Sequence, residues 1–226
     1  MRRRAFIAML AAAAAAPALA PGLAFADDAR QPLAKAFAFL DAYLGLPPGE
    51  RNRFYLAYRA YRDKRPAPGV GGTIVAANGA RTPVPFDRAG EVMRLPSLGE
   101  LRSGATFECA GAPFRLGLEL RLAGAPAARI DPAAVVAGLA QANAAIHKLA
   151  GVLAMAAPRL TAAYFPDAVA GQVVLADGRA APLPVTTAPV VGPVPYFEPA
   201  SAAGARAVVL ARAPSRVLLG GHPRKA

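Results

Sequence analysis

The chain has 226 residues, of which 55% are hydrophobic and 18% are charged, a balance typical of a folded globular protein rather than a disordered one. The single cysteine, Cys109, excludes a disulfide scaffold within the chain, and two histidines, His147 and His222, are too few for an ordinary structural zinc site. We therefore expect one large domain or two small ones, without a cofactor.

The first 26 residues are predicted to form an export signal. Three arginines precede an apolar run over residues 6–16, and Ala24-Phe25-Ala26 has the small-x-small pattern of a cleavage site, so the mature chain would begin at Asp27. The segment Arg3-Arg4-Ala5-Phe6-Ile7 resembles the twin-arginine export motif, although its neighbours depart from that motif, and the general secretory route stays open. We expect a bacterial protein that is periplasmic or secreted and has no transmembrane anchor.

The mature chain is strongly basic. Removing the signal and its three arginines leaves 23 basic and 14 acidic side chains, a net charge of +9. In the cell envelope the natural anionic partners are lipid head groups, lipopolysaccharide phosphates, acidic glycans or an acidic protein surface, and no nucleic acid is expected. The alternative is that a coding bias produced the arginine-rich composition without any ligand.

Two parts of the mature chain repeat one another. Gly72 to Gly79, followed by Pro83-Val84-Pro85, recurs 99 residues later as Gly171 to Gly178, followed by Pro182-Leu183-Pro184. Each copy has a short apolar strand, an Asn-Gly or Asp-Gly turn and a Pro-x-Pro segment. Three further matches follow the same order at offsets of 100 to 106: Gly104-Ala105 with Gly204-Ala205, residues 113–116 with 214–217, and 53–58 with 159–164.

The predicted fold class is α+β, with tandem duplicated units that each contain a helix and about four antiparallel β-strands. The first helix is expected between Pro32 and Gly45, and the second between Pro132 and Pro158. The predicted segments are the export signal at 1–26, the repeats at 27–125 and 126–220, and a basic tail at 221–226. The predicted strands lie at 54–61, 73–77, 105–109 and 114–122 in the first copy, and at 160–165, 172–176, 205–211 and 216–219 in the second.

The first predicted strand carries the main candidate for ligand binding. Its alternation puts Arg53, Tyr55, Arg59 and Tyr61 on one face, where arginines spaced among tyrosines can bind an anion or stack on a sugar. The alternative is an edge strand that its arginines keep soluble. A second candidate is the proline-rich stretch from 182 to 199, which is either an extended docking segment or a loop that crosses a sheet edge.

Other reactive side chains have simpler explanations. The repeat pairs Cys109 with Val209, so we expect a buried small hydrophobe rather than a nucleophile. Glu108 and Glu119 are predicted to lie on adjacent strands of one hairpin, where two carboxylates could perform acid–base chemistry. The histidine of the second helix is expected on its polar flank, and the histidine of the tail is expected in solvent.

These features favour an exported soluble protein without catalytic residues, a binding or accessory module for an anionic envelope component or a partner protein. One alternative is a hydrolase that acts on an envelope polymer through carboxylates such as Glu108 and Glu119. The other is a protein-inhibitor or assembly module. Tandem units of a helix and four strands are similar in outline to a secreted β-lactamase inhibitory protein, and this resemblance implies binding to another protein.

Overall fold

The computed structural model describes residues 30–63, 65–150, 159–188 and 192–222. The chain is a mixture of helix and strand with several antiparallel sheets, as the α+β class predicts. The predicted export signal at 1–26 and the last four residues of the predicted tail lie outside the described residues.

The helices are α1 (Leu33–Ala36), α2 (Leu40–Leu44), α3 (Leu98–Arg102) and α4 (Pro132–Ala150), with short 3-10 turns at Pro48–Glu50 and Pro199–Ser201. The first half of the chain has the strands β1 (Arg30–Pro32), β2 (Phe54–Arg62), β3 (Arg65–Pro66), β4 (Gly71–Val75), β5 (Arg81–Val84), β6 (Thr106–Ala110) and β7 (Arg115–Leu122). The second half has β8 (Arg129–Ile130), β9 (Ala162–Tyr164), β10 (Gly171–Leu175), β11 (Ala180–Pro182), β12 (Val185–Ala188), β13 (Gly192–Phe197), β14 (Ala205–Leu210) and β15 (Leu218–Gly220).

The described residues fall into two compact units. The N-terminal unit comprises residues 30–47 and 56–119, and the C-terminal unit comprises residues 48–55 and 120–222. The division falls within β2 and within β7. Each unit has its own four-stranded antiparallel sheet, and a third sheet has seven strands in the order β12-β13-β9-β15-β7-β2-β3.

The core of the N-terminal unit is aromatic. Its sheet has the order β1-β6-β4-β5, and Ile74 and Phe107 are opposite each other on the buried face. Phe37, which follows α1, packs edge-on against Phe107 at 5.7 Å between ring centroids and against Tyr58 at 5.2 Å. The predicted first helix is broken between α1 and α2, where Phe39 has a φ of 70°. The break lets the chain bury Phe37 and still resume a helix.

The C-terminal unit has a sheet of the same order, β8-β14-β10-β11, and α4 packs against β14. In the N-terminal sheet Gly72 is opposite Cys109. In the C-terminal sheet Gly171, which is 99 residues later in the chain, is opposite Leu210. In these registers Cys109 and Leu210 occupy matching positions of the two sheets, one residue away from the pairing of Cys109 with Val209 in the sequence. The cause is a bulge, since Val174 pairs with Ala207 and Leu175 pairs with Ala205.

The proline-rich stretch forms the outer part of the seven-stranded sheet. β12 and β13 pair as a hairpin, and β13 continues onto β9 through the pair Tyr196 and Tyr164. Val194 and Phe197 are buried at 2% exposure each. The described part of this stretch is thus a folded hairpin, whereas Pro189 lies outside the described residues.

The strand predictions are confirmed: each of the eight predicted strands is present, with ends within two residues of the expected ones. The second predicted helix begins at Pro132 as expected, and its predicted end lies outside the described residues. The predicted hairpin between the strands of Glu108 and Glu119 is wrong, because β6 belongs to the four-stranded sheet and β7 to the seven-stranded one.

We expect Gly72→Ala and Gly171→Ala each to lower the free energy of unfolding by about 2 kcal/mol, since the added methyl group overpacks a core. A Cβ at Gly72 would lie 2.3 Å from the Phe107 ring, and one at Gly171 would lie 2.7 Å from Leu210. Gly49→Ala is the control, because a Cβ there meets nothing within 4 Å. Guanidinium titrations followed by circular dichroism measure the effect, and equal midpoints for all three variants would contradict it.

Candidate functional site

The predicted binding face of β2 divides into an exposed end and a buried end. Arg53 and Tyr55 are exposed, Tyr55 to 38%, whereas Arg59 and Tyr61 are only 8% and 9% exposed. Within the N-terminal unit every residue from Leu56 to Tyr61 is buried, so neither face of this part of the strand is open to solvent. The expectation that all four side chains line one exposed face is corrected accordingly.

Arg59 lies between two carboxylates. One guanidinium nitrogen is 3.2 Å from Oε2 of Glu91, and Nε is 3.7 Å from Oε1 of Glu119. The hydroxyl of Tyr61 donates to the same Glu119 oxygen at 3.4 Å. One buried cation with two carboxylates has no charge left to attract an anion, so Arg59 is a structural ion-pair residue.

The two carboxylates that could have formed an acid–base pair are not brought together. Glu119 is 6% exposed, forms an ion pair with Arg59 and accepts a hydrogen bond from Tyr61. Glu108 lies on the other sheet of its unit, 2.6 Å from a guanidinium nitrogen of Arg81 and 3.5 Å from Nε of Arg30. Each carboxylate is thus paired with arginine in its own sheet, and they share no reaction site.

The exposed end of the predicted face is held rigidly by α4. The side-chain oxygen of Gln141 accepts a hydrogen bond from the backbone N–H of Arg53 at 2.7 Å. Its nitrogen donates to the carbonyl of Gly49 and to Oδ1 of Asn52, both at 2.8 Å. On the other side, the carbonyl of Arg53 accepts from the N–H of Ala123 at 3.0 Å. The backbone of Arg53 is therefore fixed while its side chain is exposed to solvent.

A second arginine is positioned by the same helix. The carboxamide of Asn143 accepts from the N–H of Leu160 and donates to its carbonyl, each at 2.9 Å, and Arg159 directly precedes this residue. Gln141 and Asn143 are two positions apart, about 200° around the helix, so they project from opposite sides of α4. Arg53 and Arg159, which we name the α4 arginine pair, therefore flank the helix.

The α4 arginine pair has no carboxylate partner among the residues that the structure describes. Nearby, Lys148 is neutralised by Glu50, with 2.7 Å between Nζ and Oε2, and His147 is exposed on α4 as predicted. In the sequence Arg159 matches Arg53, but the predicted second copy lacks the other three side chains of the candidate face, so the sequence alone does not single out Arg159.

An aromatic cluster in the C-terminal unit fixes the end of β15. The rings of Tyr164 and Tyr196 are 5.7 Å apart, and the hydroxyl of Tyr164 donates to the carbonyl of Gly221. Burial raises the pKa of Tyr164 well above its ordinary value, and Tyr196 and Glu198 raise it further, so this hydroxyl stays a donor. His222 is exposed, as predicted, and its Nδ1 lies 3.0 Å from Oε1 of Glu198.

Removing the Glu119 carboxylate should lower the free energy of unfolding far more than removing the Glu108 carboxylate. Glu119→Ala leaves the buried Arg59 with one countercharge fewer, and we expect a loss of about 3 kcal/mol in the free energy of unfolding. Glu108→Ala breaks pairs whose arginines are each 58% exposed, so we expect a loss below about 1 kcal/mol. Urea titrations of both variants measure this, and similar losses would contradict the assignment of Arg59 to an internal network.

Cys109 is half-buried, and burial raises the pKa of its thiol even though a backbone hydrogen bond from Phe114 lowers it in part. Because less thiolate is present at any given pH, we expect the folded chain to react with Ellman's reagent at pH 8 at least tenfold more slowly than the chain in guanidinium. The rate should rise as the pH increases above 9. A folded-state rate equal to that of the denatured control would show an activated thiol instead.

Within the described residues, no group of three or more His, Cys, Asp or Glu side chains is placed to hold a metal ion. Over the same part of the chain, no helix combines the length and the apolar character that crossing a bilayer requires. Searches against protein-family models, curated proteins and solved structures gave no match to this chain.

Proposed function

We propose that the mature chain is an exported, non-catalytic binding module that binds an anionic component of the cell envelope. In this proposal the protein acts in the periplasm or after secretion, and its ligand contacts arginines exposed on a folded surface. The observation that carries the proposal is the α4 arginine pair. Arg53 and Arg159 have exposed side chains, and neither is neutralised by a carboxylate of the described chain. Side chains of α4 hydrogen-bond the backbone of Arg53 and of Leu160, the residue after Arg159.

The separation of these arginines indicates the kind of ligand. An α-helix with its side chains is about 10 Å across, so one small anion cannot contact arginines on its two sides. A ligand with repeated charges can contact both, whether the charges are phosphates of a lipid surface or carboxylates of an acidic polysaccharide. Tyr55, which follows Arg53 on the same strand face, offers a ring against which a sugar could stack.

We further propose that this surface arose by tandem duplication of an α+β unit. Support comes from the two four-stranded sheets, which share one strand order, and from glycine turns with matching backbone angles. Gly79 and Gly178 have φ values of 84° and 83°, and Gly104 and Gly204 have 76° and 79°. In the sequence alignment of the copies, Arg53 and Arg159 are equivalent, so duplication would have supplied both cations from one ancestral position.

The hydrolase alternative gains no support from Glu108 and Glu119, because each is paired with arginine in a different sheet. Substrate turnover that survives in Glu119→Gln would have to use other groups. The binding proposal requires only the exposed arginines and their rigid backbone.

The test compares Arg53→Ala with Arg159→Ala, singly and together, for binding to phosphatidylglycerol vesicles and to polygalacturonate. Each arginine near an anionic surface contributes about 1 kcal/mol, so we expect about a fivefold loss per substitution and about thirtyfold for the double variant. Binding of the wild type should weaken steeply between 50 and about 200 mM salt, as counterion release and screening require.

The matched control is the double variant Arg65→Ala with Arg88→Ala, which removes the same charge from exposed arginines of the N-terminal unit. It should bind within about twofold of the wild type, since these residues are outside the proposed surface. Preference for one probe distinguishes a lipid from a polysaccharide ligand. Equal losses in both double variants would show a general charge effect, and failure of the wild type to bind either probe would refute the proposed function.

A further inference from the structure

A strained pair of loops in the C-terminal unit forms a second exposed surface. The loop after β9 contains residues 167–170, and the loop after β14 contains residues 211–213. We name these residues together the Val169 ridge. Both loops lie at strand ends, and every residue of the ridge except Ala168 is exposed.

Hydrogen bonds fix the two loops to each other. The N–H of Ala211 donates to the carbonyl of Ala170 at 3.0 Å, and Nε of Arg212 donates to the carbonyl of Asp167. The hydroxyl of Ser215 donates to Oδ2 of Asp167 at 2.6 Å. The ridge is consequently preorganised, and a partner that binds it need not order it first.

The backbone at Val169, the tip of the ridge, has a strained conformation. Val169 has a φ of 62° and Asp167 has a φ of 68°, in the left-handed region that a β-branched residue such as valine rarely adopts. The N–H of Ala170 donates to the carbonyl of Ala168 at 2.6 Å, which closes a three-residue turn around Val169. Strain of this kind persists only where the surroundings impose it, and it occurs preferentially at binding sites.

Burial of the valine does not offset this strain. The side chain of Val169 is 65% exposed, while Ala168 beneath it is fully buried and anchors the turn. Glycine would adopt the same φ without cost, yet it would present no apolar group to a partner. The conformation therefore projects a methyl-bearing side chain into solvent at the expense of stability.

The ridge has one cation, Arg212, and one carboxylate, Asp167, which are engaged differently. Arg212 is exposed, and the hydrogen bond from its Nε is to a carbonyl, so the guanidinium is not neutralised by a carboxylate of the described chain. The carboxylate of Asp167 is instead engaged by Ser215. A complementary surface would thus have an acidic group beside an apolar pocket.

We propose that the Val169 ridge docks a partner protein, with Val169 in a shallow apolar pocket and Arg212 against an acidic rim. A lipid surface fits less well, because membrane-binding elements use larger apolar side chains and several cations, whereas this tip has one valine and one arginine. A rigid convex tip surrounded by small residues is the complement of a protein pocket. The inference goes beyond the anion-binding proposal and uses none of its residues.

The first experiment replaces Val169 with the photo-crosslinker benzoylphenylalanine in the full chain, in the producing cell. Val136, also exposed at 48% but on α4, receives the same group as a control. We expect a discrete adduct with one protein at position 169, absent at 136 and retained in the Arg53→Ala, Arg159→Ala background. An adduct with lipid or with a second copy of the chain, or no adduct beyond the control, would overturn the proposal.

The second experiment measures binding of that protein, identified by mass spectrometry and purified. We expect Val169→Asp and Arg212→Glu each to weaken binding at least tenfold, and Val136→Asp to leave it within twofold. Val169→Gly separates docking from folding, because relief of strain should leave the thermal midpoint equal or higher while binding still falls at least tenfold. Unchanged affinity in Val169→Asp, or a lowered midpoint in Val169→Gly, would show that the ridge is structural.

Discussion

The burial of the Arg59 guanidinium constrains what the rest of β2 can do. A buried cation is stable only with countercharges beside it, and here Glu91 and Glu119 supply them. Their side chains must therefore point toward the strand, and Tyr61 donates its hydroxyl to the same carboxylate. The residues that look most suited to anion binding in the sequence are used to hold the N-terminal unit together, which leaves only the first residues of the predicted face for a ligand.

The two four-stranded sheets share a frame but differ in surface chemistry. On the open face of the N-terminal sheet, Arg30, Glu108 and Arg81 form ion pairs across strands. In the strand register, the position that matches Glu108 in the C-terminal sheet is Val209, which has no charge and cannot form these ion pairs. At the neighbouring position both sheets have a buried apolar side chain, Phe107 at 1% exposure in one and Val208 at 0% in the other. The two sheets are thus alike at this buried position and differ in charge at this half-buried one.

Most strands could be predicted from the sequence because each has its own apolar alternation and its own turn residues. Their partners could not, since pairing depends on distant segments. Gly111, with a φ of 80°, does lie in a bend after β6, as its sequence context indicates. The strand that follows nevertheless pairs with β15, through Arg121 and Leu218, instead of returning along β6. A local turn signal predicts a change of direction, and it does not identify the sheet that the chain enters next.

The same limit applies to the candidate site. A period of two in β2 shows that the strand has two faces, but it does not show which face is open to solvent. Tyr58, on one face, reaches the carbonyl of Ala38 with its hydroxyl, and Arg59, on the other, reaches its carboxylates. Both faces are covered, so the arginine pattern that is typical of a solvated edge occurs here in a buried strand.

A fixed backbone is common to the two surfaces of the C-terminal unit that we propose as binding sites. Carboxamides of α4 hydrogen-bond the backbone of Arg53 and of Leu160, the residue after Arg159, and each carboxamide makes more than one hydrogen bond. The Val169 ridge is tied across two loops by backbone and side-chain bonds. In both cases the chain fixes the backbone and leaves the terminal group exposed, so little conformational entropy is lost on binding.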